Sequence, residues 1–171
     1  MTLQDFLKEI GENYAIIGAH AMRFYGYSRY TADLDLLVDL SNEQLQLLAN
    51  KLKSKGVNCD EKYIPEEDIF EPLWSILKCE CCGEVDVIQA KYPWHKDAIK
   101  NYVFKNWVKV VDIHYLALLK LDAHWFKDLE DIKYLISHKD FNINKFIDLL
   151  KKYNFHRKYS KILAFLWITD E

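Results

Sequence analysis

Two aspartates separated by one residue, Asp33 and Asp35, stand at the start of an otherwise apolar segment that runs to Val38. On a β-strand, residues i and i+2 point to the same face of the sheet, so the two carboxylates would lie side by side. Like charges this close repel strongly unless a cation lies between them. Because carboxylate oxygens are hard ligands, the pair favours Mg2+ or Mn2+.

A third acid, Asp86, lies inside the apolar run from Val85 to Ile88. If this strand lies beside the strand of Asp33 and Asp35, the three carboxylates converge and can hold two metal ions. Such ions activate an attacking hydroxyl and stabilise a leaving pyrophosphate. Each acid taken alone is also compatible with a solvated strand end or an edge position.

Gly18 and Ala19 lie where the short apolar run from Tyr14 to Ile17 gives way to a helical pattern. Free backbone N–H groups at such a helix start can hold phosphate oxygens, and glycine permits a close approach. A lone glycine between a strand and a helix is also common without any ligand. His20 follows this turn, where it could contact a substrate or make an ordinary structural hydrogen bond.

Apolar periodicity and glycine stops predict mixed strands and helices first and about four helices afterwards. We therefore expect an α+β fold: a mixed β-sheet core flanked by helices over residues 1–112 and a C-terminal helical segment over 113–171. The predicted helices are 3–10, 19–25, 42–55, a short one ending near 100, 114–125, 128–137, 143–153 and 156–168. The predicted strands are 14–17, 34–38, 57–63, 73–82, 84–90 and a strand or hairpin over 102–111, with a loop or single turn over 65–72.

The bulk properties exclude several classes of protein. A net charge of −3 over 171 residues has no global nucleic-acid signature. No apolar run reaches the roughly 18 residues of a membrane span, and the N-terminus lacks a signal-peptide layout, so we expect a cytoplasmic protein. For the four cysteines we expect no disulfide framework in a reducing cytosol; buried strand positions are favoured over a zinc site, because Cys79, Cys81 and Cys82 lack a matching second pair.

The motifs together resemble the nucleotidyltransferase superfamily of the DNA polymerase β type. The matching residues are Ile17-Gly18-Ala19, Asp33-Leu34-Asp35-Leu36 and Val85-Asp86-Val87. More narrowly, Tyr14–Ala21 with Gly26 and Arg29-Tyr30-Thr31-Ala32-Asp33-Leu34-Asp35 is similar to minimal bacterial nucleotidyltransferases, including abortive-infection (AbiEii-like) toxins of toxin–antitoxin pairs. Leu118–Leu121 and Lys127–Ile132 resemble the helical element of that group. The resemblance covers about residues 14 to 135.

The resemblance implies a role for each matching residue. Asp33, Asp35 and Asp86 would be the catalytic residues and bind the metal. Gly18 would support the triphosphate and Lys120 would contact it, with Asp128 lining the cleft, while Arg29 and Thr31 would steady the loop or touch phosphate. Ala19 replaces the usual second glycine or serine, so it keeps its N–H group but offers no hydroxyl. The arginine usual before the Lys-Asp pair is absent, and Trp125 and Phe126 occupy that region.

The implied function is a Mg2+- or Mn2+-dependent nucleotidyltransferase that moves an NMP from an NTP to an acceptor hydroxyl and releases pyrophosphate. A tRNA end, as in the toxin relatives with their antitoxin partner, and a small molecule such as an aminoglycoside are both open as acceptors, with a protein side chain as a third. A non-catalytic nucleotide-binding module of the same fold is the alternative. Basic residues of the last helices could contact RNA or simply face solvent: Lys145, Lys151, Lys152, Arg157, Lys158 and Lys161.

Overall fold

A computed structural model describes residues 1–28, 30–64, 74–123 and 126–166 of the chain. The helices are α1 (Leu3–Ile10), α2 (Gly18–Phe24), α3 (Asn42–Ser54), α4 (Pro93–Lys100), α5 (Ile113–Ala123), α6 (Phe126–Ser137), α7 (Ile143–Lys152), α8 (Phe155–Lys158) and α9 (Ser160–Phe165). The strands are β1 (Tyr14–Ile16), β2 (Asp33–Val38), β3 (Asn58–Ile64), β4 (Trp74–Glu80), β5 (Glu84–Gln89), β6 (Tyr102–Lys105) and β7 (Val108–Val111).

The described strands form one seven-stranded mixed sheet in the order β3-β4-β5-β2-β1-β7-β6. β2 runs parallel to β5 and β1 runs parallel to β7, whereas the other neighbouring pairs are antiparallel. This arrangement confirms the predicted α+β class with a mixed sheet and flanking helices. None of the described helices combines the length and the apolar character needed to cross a bilayer.

Central strands of the sheet are buried, which explains their apolar sequences. Leu36 in β2 and Val87 in β5 are fully buried, as expected for strands covered by helices. Helix α5 is also buried on nearly all sides, so its sequence is apolar all round rather than in one stripe. It packs against α2, α4, α6 and α7. Its residue Lys120 lines a cleft together with Asp33 and Asp35 of β2. The division at residue 112 stays a prediction.

One predicted helix differs from the structure in the described part of the chain. The predicted helix 156–168 is broken into α8 and α9 at Tyr159, whose backbone is not helical. The apolar pattern runs through the break because Phe155 and Leu163 are both buried on their separate helices. The predicted loop or turn over 65–72 lies outside the described residues.

The expectation of cysteines without a disulfide is wrong for one pair. Cys59 on β3 and Cys79 on β4 are directly opposite in the antiparallel register, with their Cα atoms 4.2 Å apart, and they form a disulfide. Both are buried, as predicted for strand cysteines. The expectation relied on the redox compartment, whereas the bond follows from a register that no local pattern reveals. Cys81 and Cys82 have free thiols.

Packing of the helical segment can be tested through Phe146, a fully buried residue of α7 whose ring meets Phe141 edge-on at 5.4 Å. We expect Phe146→Ala to lower the free energy of unfolding by about 3–5 kcal/mol, because the change leaves a cavity in the core. Urea denaturation followed by circular dichroism measures this loss. Ile143→Ala, at a position that is 40% exposed on the same helix, should cost less than about 1 kcal/mol. Equal losses would contradict the described burial.

Candidate active site

The register between β2 and β5 places four carboxylates on one face of the sheet. Asp35 pairs with Asp86 and Asp33 pairs with Glu84 along these parallel strands. Paired residues of parallel neighbours point to the same side, and side chains two apart on a strand share a face. The three predicted acids are therefore brought together. Glu84 was not predicted, although its position two residues before Asp86 is the signal that could have found it.

Crowded negative charge is visible in the pKa of two of these acids. Burial, followed by the neighbouring Asp86, raises the pKa of Asp35 to about 6, despite the opposing effect of the Lys120 charge. A hydrogen-bonding contact with Asp33 is the main cause that raises the pKa of Glu84. Carboxylates that hold their protons in this way are short of compensating positive charge. A divalent cation would supply that charge.

Gly18 lies directly against the carboxylate of Asp35. Its φ of +64° is in the left-handed region, and a β-carbon added there would lie 1.9 Å from Asp35 Oδ2. The backbone N–H of Ile17 also donates to the carbonyl oxygen of Asp35, at 3.0 Å. Position 18 thus requires glycine because the carboxylate of Asp35 fills the space that a side chain would need. The sequence had suggested a different reason, the close approach of a phosphate.

Loop and helix side chains steady the start of β2. His20 Nδ1 is 3.0 Å from the carbonyl oxygen of Asp33, and Thr31 Oγ1 donates to the same oxygen at 3.2 Å. Burial, with help from the charge of Arg23, lowers the pKa of His20. His20 therefore makes the structural hydrogen bond that was one of its two interpretations, and Thr31 fits the predicted role of steadying the loop. Arg29 lies outside the described residues.

Lys120, expected to contact the triphosphate, and Asp128, expected to line the cleft, form an ion pair with each other. The Nζ atom of Lys120 is 2.8 Å from Asp128 Oδ1 and 2.8 Å from Asp131 Oδ2, and all three side chains are buried. Asp131 was not predicted as a site residue, although it lies one helical turn after Asp128 on α6. The pairing of Lys120 with two carboxylates keeps its ammonium compensated when no phosphate is present.

One cleft of about 380 Å³ unites most of the predicted residues. Those that line it are Gly18, Ala19, Thr31, Asp33, Asp35, Lys120 and Asp128. Asp86 lines an adjacent groove of about 270 Å³ together with Asn58, Asp60, Lys78, Glu80 and Glu84. Three features meet in the cleft: carboxylates, a backbone turn at the start of α2 and one buried ammonium.

Lys78 on β4 is a site neighbour that sequence reasoning missed. Its register partner is Asp86, and its Nζ atom lies 2.8 Å from Asp86 Oδ2. This contact raises the pKa of Lys78. No spacing rule finds the pair, because it depends on how β4 aligns with β5.

The donor set suits a hard divalent cation, but its side chains are not arranged around one. Among the described residues, no group of three or more His, Cys, Asp and Glu side chains is gathered closely enough to hold a metal ion. Asp33 and Asp35 face the cleft, whereas one oxygen of Asp86 is engaged by Lys78. The residues fit a metal by chemistry and by strand position, and a cation at Asp86 would either share that carboxylate with Lys78 or displace the lysine.

The contact at Gly18 generates a matched pair of variants. We expect Gly18→Ala to lower the free energy of unfolding by more than Gly56→Ala and to displace Asp35. Both glycines have a positive φ, so alanine strains both backbones by about 1 kcal/mol, but nothing lies within 4 Å of a β-carbon at Gly56. Chemical denaturation of the two variants measures the difference. Equal losses would show that Asp35 moves away from Gly18 at no cost.

Asp35 also predicts a pH dependence of stability in metal-free protein. Its folded pKa of about 6 exceeds the ordinary value of 3.8. The stabilisation is therefore complete below about pH 4 and is lost as the pH rises through 6. We expect Asp35→Asn to become more stable than wild type across this window, by of the order of 2 kcal/mol at pH 8. Thermal unfolding in EDTA at pH 4.5, 6 and 8 measures the difference.

Asp97→Asn provides the control of opposite sign for this pH series. Lys152 and Tyr153 hold the pKa of Asp97 below its usual value, so its stabilisation is present at neutral pH and is lost as the pH falls. Asp97→Asn should therefore be less stable than wild type at pH 8 and approach it in acid. A pH-independent difference between Asp35→Asn and wild type would contradict the described burial of Asp35.

Comparison with known proteins places the fold. No protein-family model matches the chain, and no curated protein matches it in sequence. Megavirus polyadenylate synthase superposes with a TM-score of 0.56 at 10% identity, over 81% of this chain and 31% of that one. The chain thus spans about a third of that protein.

Two structures of the antibiotic-resistance factor ANT(2'')-Ia match almost end to end. The complex with adenylyl-2''-tobramycin gives a TM-score of 0.53 at 14% identity, over 91% of this chain and 96% of that one. The solution structure gives 0.52 at 12% identity, over 95% and 93%. Likenesses at such low identity show only that this chain shares its fold with the polyadenylate synthase and with ANT(2'')-Ia.

Proposed function

We propose that this chain is a metal-dependent nucleotidyltransferase, which transfers an NMP from an NTP to an acceptor hydroxyl and releases pyrophosphate. The observation that carries the proposal is the parallel pairing of β2 with β5, which sets Asp35 beside Asp86 and on the same face as Asp33. The cleft below them also contains Gly18 and Lys120. Asp33 and Asp35 line this cleft with the buried ammonium of Lys120, a combination that suits a metal-bound phosphate.

Each residue has a proposed role in the transfer. Asp33, Asp35 and Asp86 would hold Mg2+ or Mn2+, which when bound neutralises the triphosphate and polarises the acceptor hydroxyl. Lys120 would exchange part of its contact with Asp128 and Asp131 for a phosphate oxygen. The acceptor oxygen forms a bond to the α-phosphorus while the bond from that phosphorus to the bridging oxygen breaks.

Proton and charge movements complete the balance of this reaction. Asp86 would receive the proton of the acceptor hydroxyl, and the electron pair of the broken bond leaves with pyrophosphate. Gly18 and Ala19 would hold the triphosphate through their backbone N–H groups, while Thr31 and Arg29 would steady the loop that enters β2. Asp128 would line the nucleotide side of the cleft.

Acceptor identity separates two forms of the proposal. A tRNA end is the acceptor expected for a toxin-type enzyme with an antitoxin partner. The surface favours a small cationic acceptor instead, because acids continue beyond the cleft through Glu84, Glu80 and Asp60 in one groove. ANT(2'')-Ia, which shares this fold, has been solved in complex with adenylyl-2''-tobramycin.

Charge on the C-terminal helices supports the same preference. Lys145 lies 3.4 Å from a carboxylate oxygen of Asp112, and Lys152 lies 2.7 Å from one of Asp97. These lysines are compensated by acids of the protein itself, so they offer less charge to an RNA backbone than the sequence pattern predicted.

The transferase proposal is tested by incubating the protein and Mg2+ with each α-labelled NTP, together with total tRNA or tobramycin. We expect a labelled product with one acceptor class and a loss of about 10²- to 10⁴-fold in rate for Asp33→Asn, Asp35→Asn or Asp86→Asn. Asp39→Asn, whose exposed carboxylate pairs with Lys96 just beyond β2, should keep wild-type activity.

Calorimetry with NTP and Mg2+ separates an enzyme from a non-catalytic binding module. Binding by wild type that is lost in Asp33→Ala/Asp35→Ala, together with labelled product, supports the transferase. Binding without product under any acceptor favours the binding module. If neither form binds NTP with metal, the enzyme proposal is wrong.

A further inference from the structure

A row of four charged residues crosses the sheet beside the proposed active site. The register pairs Asp35 with Asp86 between β2 and β5, Asp86 with Lys78 between β5 and β4, and Lys78 with Asp60 between β4 and β3. Directly paired side chains point to the same face, so all four lie on the carboxyl-bearing side. Lys78 is therefore the only cation in this row, between one acid on each side.

In the structure Lys78 contacts Asp86, the more buried of these two acids. Its Nζ atom lies 2.8 Å from Asp86 Oδ2, and the Asp86 side chain is 14% exposed whereas that of Lys78 is 40% exposed. Asp60 is exposed and lines the same groove. Directly opposite residues of antiparallel strands have β-carbons about 5 Å apart, so the flexible lysine side chain can reach either acid.

We propose that Lys78 is an internal counter-ion which occupies the metal-binding carboxylate of Asp86 and moves to Asp60 when a divalent cation arrives. This inference rests on the proposed function, because Asp86 must be a metal ligand for the exchange to matter. Lys78 is a positioning residue, because it would act on the metal through Asp86 and contact neither the metal nor the substrate. Its ammonium compensates the paired acids Asp35 and Asp86 while no metal is present.

The exchange follows from charge balance along the row. A dication bound at Asp35 and Asp86 would repel the ammonium that lies 2.8 Å from Asp86 Oδ2, and the two cations would compete for the same carboxylate. Asp60 is exposed and lies opposite Lys78 in the register, so it offers the departing lysine a second carboxylate on the same face. Metal binding must therefore break the Lys78–Asp86 ion pair, which lowers the metal affinity. A new ion pair between Lys78 and Asp60 recovers part of that loss.

The test measures binding of Mn2+ alone to the full chain by electron paramagnetic resonance of the free ion, without nucleotide. We expect Lys78→Gln to bind Mn2+ at least about fivefold more tightly than wild type, which corresponds to an ion-pair energy of roughly 1 kcal/mol. Lys78→Met, which keeps the apolar stem, serves as the second variant should the glutamine variant fold poorly. Lys96→Gln, which breaks an ion pair with Asp39 away from the row, should match wild type.

A double-mutant cycle with Asp60 distinguishes an exchanging lysine from a mere field effect. Asp60→Asn should weaken Mn2+ binding by about threefold when Lys78 is present and leave it unchanged in the Lys78→Gln background. An equal effect of Asp60→Asn in both backgrounds, or unchanged affinity in both Lys78 variants, overturns the proposal.

The two proposals fail in different ways in this experiment. If Asp35→Asn and Asp86→Asn abolish Mn2+ binding but Lys78→Gln leaves it unchanged, the metal site stands and the role of Lys78 is wrong. If wild type and Lys78→Gln both bind no Mn2+, then the metal site of the proposed function and the exchange are both wrong. Tighter binding in Lys78→Gln that needs Asp86 supports both.

Discussion

Electrostatic repulsion between paired strands is the constraint on which the rest of the site depends. β2 and β5 are held in register by apolar side chains that point into the core, and that register forces Asp35 beside Asp86 on the opposite face. This juxtaposition costs stability, because burial and then the neighbouring Asp86 raise the pKa of Asp35. The apolar burial in the core therefore offsets the repulsion between these carboxylates. Such an arrangement is typical of functional sites that bind a cation.

The helices place a buried ammonium, that of Lys120, in the same cleft as the carboxylates of Asp33 and Asp35. Lys120 comes from α5, which is buried on nearly all sides, and it is compensated there by two acids of α6. Burying a lone ammonium at this depth would be costly, and the two carboxylates compensate that cost. Lys120 is thus paired with Asp128 and Asp131 at the cleft, and Lys78 is paired with Asp86 beside it. These ion pairs compensate charges that a bound phosphate or metal would otherwise compensate.

The acid pair and the elements around it could be predicted from the sequence because they depend on patterns within short segments. Alternation along β2, the Asp33–Asp35 spacing and the glycine stop at Gly18 are properties of short segments, so they predicted the acid pair, the strand and the following helix. The class of fold followed from the order of elements. Asp86 was predicted because an acid inside an apolar strand is conspicuous.

What could not be predicted depends on register between segments far apart in the chain. The alignment of β4 with both β3 and β5 decides that Lys78 meets Asp86 and that Cys59 meets Cys79. Local periodicity is the same for any alignment shifted by two residues, so only the whole sheet selects one. The close contact of Gly18 with Asp35 has the same origin, since a glycine motif does not say which atom fills the space.

The cross-strand disulfide has a mechanical consequence for the border of the sheet. β3 is an outermost strand, and such strands are free to peel away or to recruit another chain. Cys59 and Cys79 fasten it covalently to its neighbour, and each cysteine is next in sequence to a member of the charged row, Asp60 or Lys78. Fraying at this border therefore requires a reductant as well as heat, and the spacing between lysine and aspartate is preserved as long as the sulfurs stay joined.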